Sequence, residues 1–296
     1  MAQPKPTHDD PGAEIIRIDQ QIHDLLMQRA SLLEGARGRA GAESGAPQVP
    51  LHPGEDAATL RRIVDRHAGQ FPLRSVVRIW REILTASLSV RAQYVVHVCA
   101  GENALAFWDL ARTYFGSTVP VTGHATASAV VHACAEDVMA CGVVPLPESA
   151  ENVSPWWAQL AAAGEAGPRI MAKLPLVLND GGRFDYPAAY AIGSIEQKPT
   201  GDDTSVLFLE TLQELSRARL QMLLRQVGIE AQIVAAGQEA ARSATRELLV
   251  ETTGFVAPAD PRVAALLENG GDAILRATVV GGYANPLDYA AKGEAV

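Results

Sequence analysis

Apolar residues recur every three to four positions near the start of the chain: Ile15, Ile18, Ile22, Leu25, Leu26, Leu32 and Leu33. That period predicts a helix from about Ala13 to Ala36. One charge, Arg29, lies on the same face, seven residues after Ile22. Gly, Ala, Pro and Ser crowd Gly38 to Pro53 and predict a loop. Asp56 to His67 fits a second, shorter helix, and Pro72 marks the entry to a third. In that third helix Val76, Ile79, Trp80, Ile83, Leu84, Ser87, Leu88 and Arg91 share one broad face. Three amphipathic helices make a thin module whose apolar face is large for its size. A second copy of the chain is expected to complete its core.

The pattern changes at Tyr94. "YVVHVC" reads as a strand, "ALAFWDLARTYFG" as a helix closed by Gly116, "SAVVHACAEDVMA" as a helix and "GVVPLP" as a buried strand. "RIMAKLPLVL" and "YAIGSIE" read as two more strands. Alternation of strand and helix predicts an α/β region. Lys198 to Asp203 reads as a linker. Beyond it the order is strand, helix, strand, strand, helix, strand, ending in "ILRATVVGGY": βαββαβ, the ferredoxin-like plan. The expected organisation is a tail (1–12), a helical module (13–93), an α/β domain (94–198), a ferredoxin-like domain (199–287) and a second tail (288–296).

Composition narrows the function. Of 296 residues, 48% are hydrophobic and 20% charged, enough apolar material for real cores. The net charge of −9 argues against nucleic acid as a partner. The first twelve residues lack the apolar run of a signal peptide, and no stretch is long enough to span a bilayer. Cys99, Cys134 and Cys141 form no CxxC pair, and free thiols fit a cytoplasmic setting. The seven histidines show no metal-ligand spacing, so no metal and no cofactor is expected. Trp156 and Trp157 read as residues that close a small core.

Arg29 has two readings. A guanidinium on an apolar face needs a carboxylate, because an unpaired buried charge is costly. Asp19 could supply it within the chain, or the side chain could reach the rim of the face. Alternatively, Arg29 is a fork for an anionic ligand held between helices.

"IIRIDQQIHDLLMQRASLLE", "HPGEDAATLRRI" and "VVRIWREILTASL" together resemble the all-helical bacterial chorismate mutase. "YVVHVCAGENALAFWDLARTYFG" and "GVVPLPES" resemble the opening of a prephenate dehydratase, and "DDTSVLFLE", "ETTGFV" and "VVGGYANP" the ACT regulatory domain. The whole resembles a bacterial P-protein, closest to its alphaproteobacterial branch. The fold class it implies is multidomain α plus α/β. It would have a three-helix mutase-like module forming an intertwined dimer, a shortened dehydratase-like α/β domain and an ACT-like domain.

The resemblance implies conversion of chorismate to prephenate, a unimolecular rearrangement that needs only preorganised cations and donors around a dianion. Carried over by position, Arg29 is the core arginine, Ser87 the helix-three serine and Asp56 stands for a glutamate. Arg39 and Arg91 stand at or near a lysine and a glutamine of the family. Gly12, Ala40, His52 and Glu55 replace charged family residues, and Glu55 puts an anion where a ligand carboxylate wants a cation. Ala188-Ala189-Tyr190 replaces the Thr-Arg-Phe motif of the dehydratase, and Ala100 to Ala104 its glycine-rich loop. The implied activity is a mutase with a degenerate site and no dehydratase step. The alternative is a non-catalytic relative that binds a chorismate- or prephenate-like dianion or regulates an active mutase.

Overall fold

The computed structural model describes residues 11–40, 51–89, 93–101, 103–147, 155–164, 166–178, 187–237 and 244–288, with side chains in the first segment up to residue 33. The chain forms two compact units, Met1–Ala46 and Pro47–Val296. The described residues of the first form one long helix, α1 (Pro11–Ala40). Its period-3.6 apolar residues are largely exposed within that unit; Ile22 is 52% exposed and Leu25 62%.

The second unit begins with α2 (Pro53–Arg66) and α3 (Leu73–Ser89). There follow β1 (Val95–Cys99), α4 (Ala104–Phe115), β2 (Val121–His124), α5 (Ala127–Glu136), β3 (Ala140–Pro145), α6 (Trp156–Ala162), β4 (Arg169–Leu174) and β5 (Ala189–Gly193). The last stretch runs β6 (Asp203–Leu212), α7 (Arg217–Gln226), β7 (Ala231–Ala236), β8 (Thr245–Thr253), α8 (Pro261–Gly270) and β9 (Ile274–Ala284). That is the βαββαβ order, with its strands lying β9-β6-β8-β7.

The nine strands among the described residues join one sheet, in the order β2-β1-β3-β5-β4-β9-β6-β8-β7. The sequence pattern suggests separate α/β and ferredoxin-like domains, whereas their sheets are continuous. β2, β1 and β3 are parallel, and β5 is antiparallel to both β3 and β4. On one face α5 and α6 cover a core that runs from Cys134 and Trp156 across to Phe208 and Leu249. On the other, α4 covers β1 and β3, while α7 and α8 cover the C-terminal strands. Trp156 and Trp157 both lie inside the first core. Burying side chains of this kind stabilises the fold by about 1.5–3 kcal/mol each.

The seam of the sheet lies between β4 and β9, where Ile170 and Gly281 are parallel partners. The strands approach so closely that a Cβ at Gly281 would sit 2.3 Å from the Ile170 carbonyl oxygen and 2.4 Å from its nitrogen. Gly281 also has φ +148°, which side chains rarely adopt. Around it, Arg169 Nη1 donates to Val279 O at 2.8 Å. Gln197 Nε2 donates to both Ile170 O and Gly282 O, at 2.7 and 2.8 Å. Glu251 on β8 accepts from Lys173 Nζ on β4 at 2.9 Å, from Tyr190 on β5 and from Tyr283 on β9. One carboxylate thus ties four strands across the seam.

Gly281→Ala is expected to destabilise the second unit by about 3 kcal/mol, from overpacking and backbone strain together. The denaturation midpoint checks this; a change below about 0.5 kcal/mol, the ordinary surface effect, would contradict the seam's role.

Candidate functional site

The candidate site is where α2, α3 and the C-terminal end of α4 meet. α3 packs through Leu73, Val77, Arg81, Leu84, Thr85 and Leu88, all buried. The side predicted to pack is rotated from this one: Ile79 is 50% exposed, while Val77 is buried. The reason is Arg81. A charge on the packing face is tolerated only where its donors are met, and here they are. Arg81 Nη1 donates to Asp56 Oδ2 on α2 at 2.8 Å. Its Nε donates to Tyr114 O on α4 at 3.1 Å, and its Nη2 reaches the same carbonyl. The guanidinium also lies 4.4 Å from the centre of the Tyr114 ring. A cation at the last carbonyls of α4 is favoured by the helix dipole as well.

The next turn of α3 completes the clamp. Ser117 donates from its hydroxyl to Glu82 Oε1 at 2.6 Å and from its backbone N to Oε2 at 3.2 Å. Thr85 Oγ1 donates to Arg81 O at 2.9 Å, and a Cβ at Gly116 would come within 2.7 Å of that hydroxyl. Gly116, at φ +99°, therefore lets the chain leave α4 close against α3. On α2, Arg61 donates to Thr200 Oγ1 at 3.0 Å and to Asp202 O at 2.6 Å, just before β6. Both helices are thereby fastened to the α/β unit.

Two of the five expected site residues have described side chains in this unit. Asp56 is held by Arg81, with only 14% of its side chain exposed. Burial raises its pKa above the usual 3.8, and the charge and hydrogen bond of Arg81 oppose that rise. Ser87 donates to Ile83 O at 2.8 Å, the back-bond of a helical serine. Arg29 lies half-buried on α1 in the first unit. The Arg39 side chain and Arg91 lie outside the described residues. Glu55 lines a cavity of about 310 Å³ together with His52, Glu196 and Lys198, apart from the Asp56 carboxylate's partner.

Sequence reasoning passed over Arg81. Its one signal is its spacing, four residues after Val77 and three before Leu84. A second cavity, also about 310 Å³, opens beside it between α3, α4 and the segment after β4.

Other chemistry is limited. His97 Nδ1 and His124 Nε2 lie 2.8 Å apart on neighbouring strands and satisfy one another. Among the described residues no group of three His, Cys, Asp or Glu side chains converges on a metal position. The three cysteines are buried; burial pushes the Cys134 thiol up to about 12, far from a reactive thiolate. No helix among the described residues is long and apolar enough to cross a membrane.

Comparison with known proteins finds no matching family model. The chain is 30% identical over 145 residues to the bifunctional chorismate mutase/prephenate dehydratase of Aquifex aeolicus (strain VF5). That stretch is 47% of this chain and 39% of the relative, so the chain spans well under half of the relative's length. Over it the two are homologous. Among solved structures, "GqqA- a novel type of quorum quenching acylases" superposes with a TM-score of 0.47 at 14% identity, covering 64% of this chain and 94% of that one. A prephenate dehydratase from Streptococcus mutans does so at 0.45 and 14%, covering 65% and 97%.

Arg81→Met is expected to cost about 3–5 kcal/mol near neutral pH, because it leaves Asp56 buried without a partner. Its pH dependence has a definite sign. A carboxyl whose folded pKa lies above its unfolded value binds its proton better in the folded state, so stability falls as pH rises through that window. Without Arg81 the Asp56 pKa rises further, and the loss is larger at pH 7 than at pH 4. Urea denaturation at the two pH values measures it; an equal loss at both would refute the pairing.

Proposed function

We propose that this chain is a non-catalytic P-protein relative that binds a small dianion of the chorismate or prephenate type. The observation that carries this reading is the Asp56–Arg81 pair. The residue at the family's glutamate position already has a buried cation as its partner, where the mutase reaction needs it facing substrate. Ser87 is bonded to its own helix, and Glu55 adds a negative charge beside His52 rather than a cation for a carboxylate. The homology to a bifunctional mutase/dehydratase supports the ligand class.

On this reading residues 13–93 form the mutase-like module, 94–198 a shortened dehydratase-like part and 199–287 an ACT-like part. The protein works in the cytoplasm as a homodimer whose second copy covers the apolar face of α1. It uses no cofactor and has no dehydratase step. Its role is to sense or sequester an intermediate of aromatic amino-acid synthesis.

The test follows the ultraviolet absorbance of chorismate with purified protein at high concentration, alongside calorimetric titration of chorismate and prephenate. The expected result is loss at the uncatalysed rate together with saturable binding of at least one of the two. Catalysed loss of chorismate would restore the mutase reading, and no binding of either would remove the binding role.

A further inference from the structure

Two imidazoles meet where β1 pairs with β2. Val96 and Val98 of β1 lie in the core under α4, so the alternation of the strand turns His97 and Cys99 toward α5. His97 is the register partner of Thr122, and Cys99 that of His124. His124 therefore shares the face of His97, one diagonal step along the pair. There His97 Nδ1 and His124 Nε2 lie 2.8 Å apart, with the rings edge-on and their centres 4.9 Å apart. Both residues are half-buried.

A contact this short needs one N–H and one lone pair. With both rings neutral, one donates and the other accepts. A first proton can add to the donor ring's far nitrogen and leaves the contact intact. A second proton removes the remaining lone pair and sets two positive rings against each other. The two rings thus titrate as one unit in two steps. The described surroundings offset the second charge poorly. The Cys99 thiol beside His97 and the Cys134 thiol on α5 are both pushed up by burial and stay neutral. On β3 the partner of His97 is Gly142, which has no side chain. On the outer side of α5, His132 and Glu136 meet each other at 3.2 Å in solvent. Asp137, where α5 ends, favours a charged His97. Burial and the His124 charge outweigh it, and the His97 pKa lies below the usual 6.5.

β2 is the edge strand, four residues long, and its one large apolar side chain, Val121, is partly buried. Ala100 N donates to His124 O at 2.7 Å. Two residues later Thr126 caps α5, its hydroxyl accepting from Ala129 N at 3.2 Å. His124 thus holds the end of β2 by backbone and side chain, just before α5 begins.

We infer that the His97–His124 pair is an acid-sensitive latch, which holds β2 on β1 and releases it when both rings are protonated. In the unfolded chain both rings take protons near pH 6.5, whereas the folded pair resists the second. The unfolded state then binds more protons, so the stability the pair lends is full above that pH and is lost as pH falls through the lowered value. Release uncovers ladder groups of β1, the Ala100 amide among them. The latch is independent of the ligand-binding role proposed above.

The test is amide hydrogen exchange of the full chain at pH 7.5 and pH 5, corrected for the intrinsic effect of pH on exchange, with β3 as internal reference. Protection of β2 and of Ala100 is expected to fall at least tenfold more than that of β3 on acidification. His124→Gln replaces the ring by an amide that does not titrate and can turn either its N–H or its carbonyl to His97. It is expected to abolish the extra loss. Equal losses in β2 and β3, or the same extra loss in the variant, would overturn the latch. Nuclear magnetic resonance titration of the histidine rings in the parent chain gives a check that needs no variant. Two coupled steps are expected, the second needing at least about tenfold more protons than a free imidazole. Two independent titrations near pH 6.5 would overturn the inference as well.

Discussion

One buried guanidinium sets the arrangement of the N-terminal half of the second unit. Arg81 is 2% exposed and sits between three helices. Taking a cation out of water is favourable here only because its partners are all in place: a carboxylate from α2, and a carbonyl and an aromatic ring from α4. Those partners come from positions 25 and 33 residues away in the chain. The guanidinium therefore fixes the orientation of the helices in a way that apolar contacts alone, which tolerate rotation, would not. The carboxylate that the family resemblance would assign to substrate is committed to holding α2 against α3.

A second constraint acts at the middle of the sheet. Parallel pairing of β4 and β9 turns what could be two sheets into one, and Gly281 is the residue that allows it. The core on the α5 and α6 face runs across this seam without a break, from Trp156 to Val280. The Glu251 cluster brings Lys173, Tyr190 and Tyr283 to a single carboxylate there. Buried polar networks of this sort reward one register and penalise others. The ferredoxin-like half is thus coupled to the α/β half by backbone pairing and by side chains.

Much of this was legible in the residues, and the gaps have physical causes. β9 could be placed almost to the residue, because its run of apolar residues closes on the glycine pair Gly281-Gly282. β2 escaped notice, since Val121 to His124 is four residues with one large apolar side chain. α6 escaped too: seven residues are too few to show a helical period, although the core role of its tryptophans was readable. The continuity of the sheet depends on one glycine meeting a strand more than a hundred residues earlier, which no local pattern reports. At the site, Asp56 and Ser87 were singled out as candidates through the family resemblance, and of these Asp56 is the partner of Arg81. Arg81 itself was not singled out, because its burial is licensed by the end of a helix that the α3 pattern does not contain.

The central claim is that Asp56 and Arg81 act as one structural pair. A double-mutant cycle tests it most directly, by equilibrium denaturation of the parent chain, Asp56→Ala, Arg81→Ala and the double variant. The account predicts a favourable coupling energy of about 2–3 kcal/mol, with the double variant far less destabilised than the sum of the singles. A coupling within about 0.5 kcal/mol of zero, the scatter of independent sites, would contradict it and return Asp56 to the list of residues free to meet a ligand.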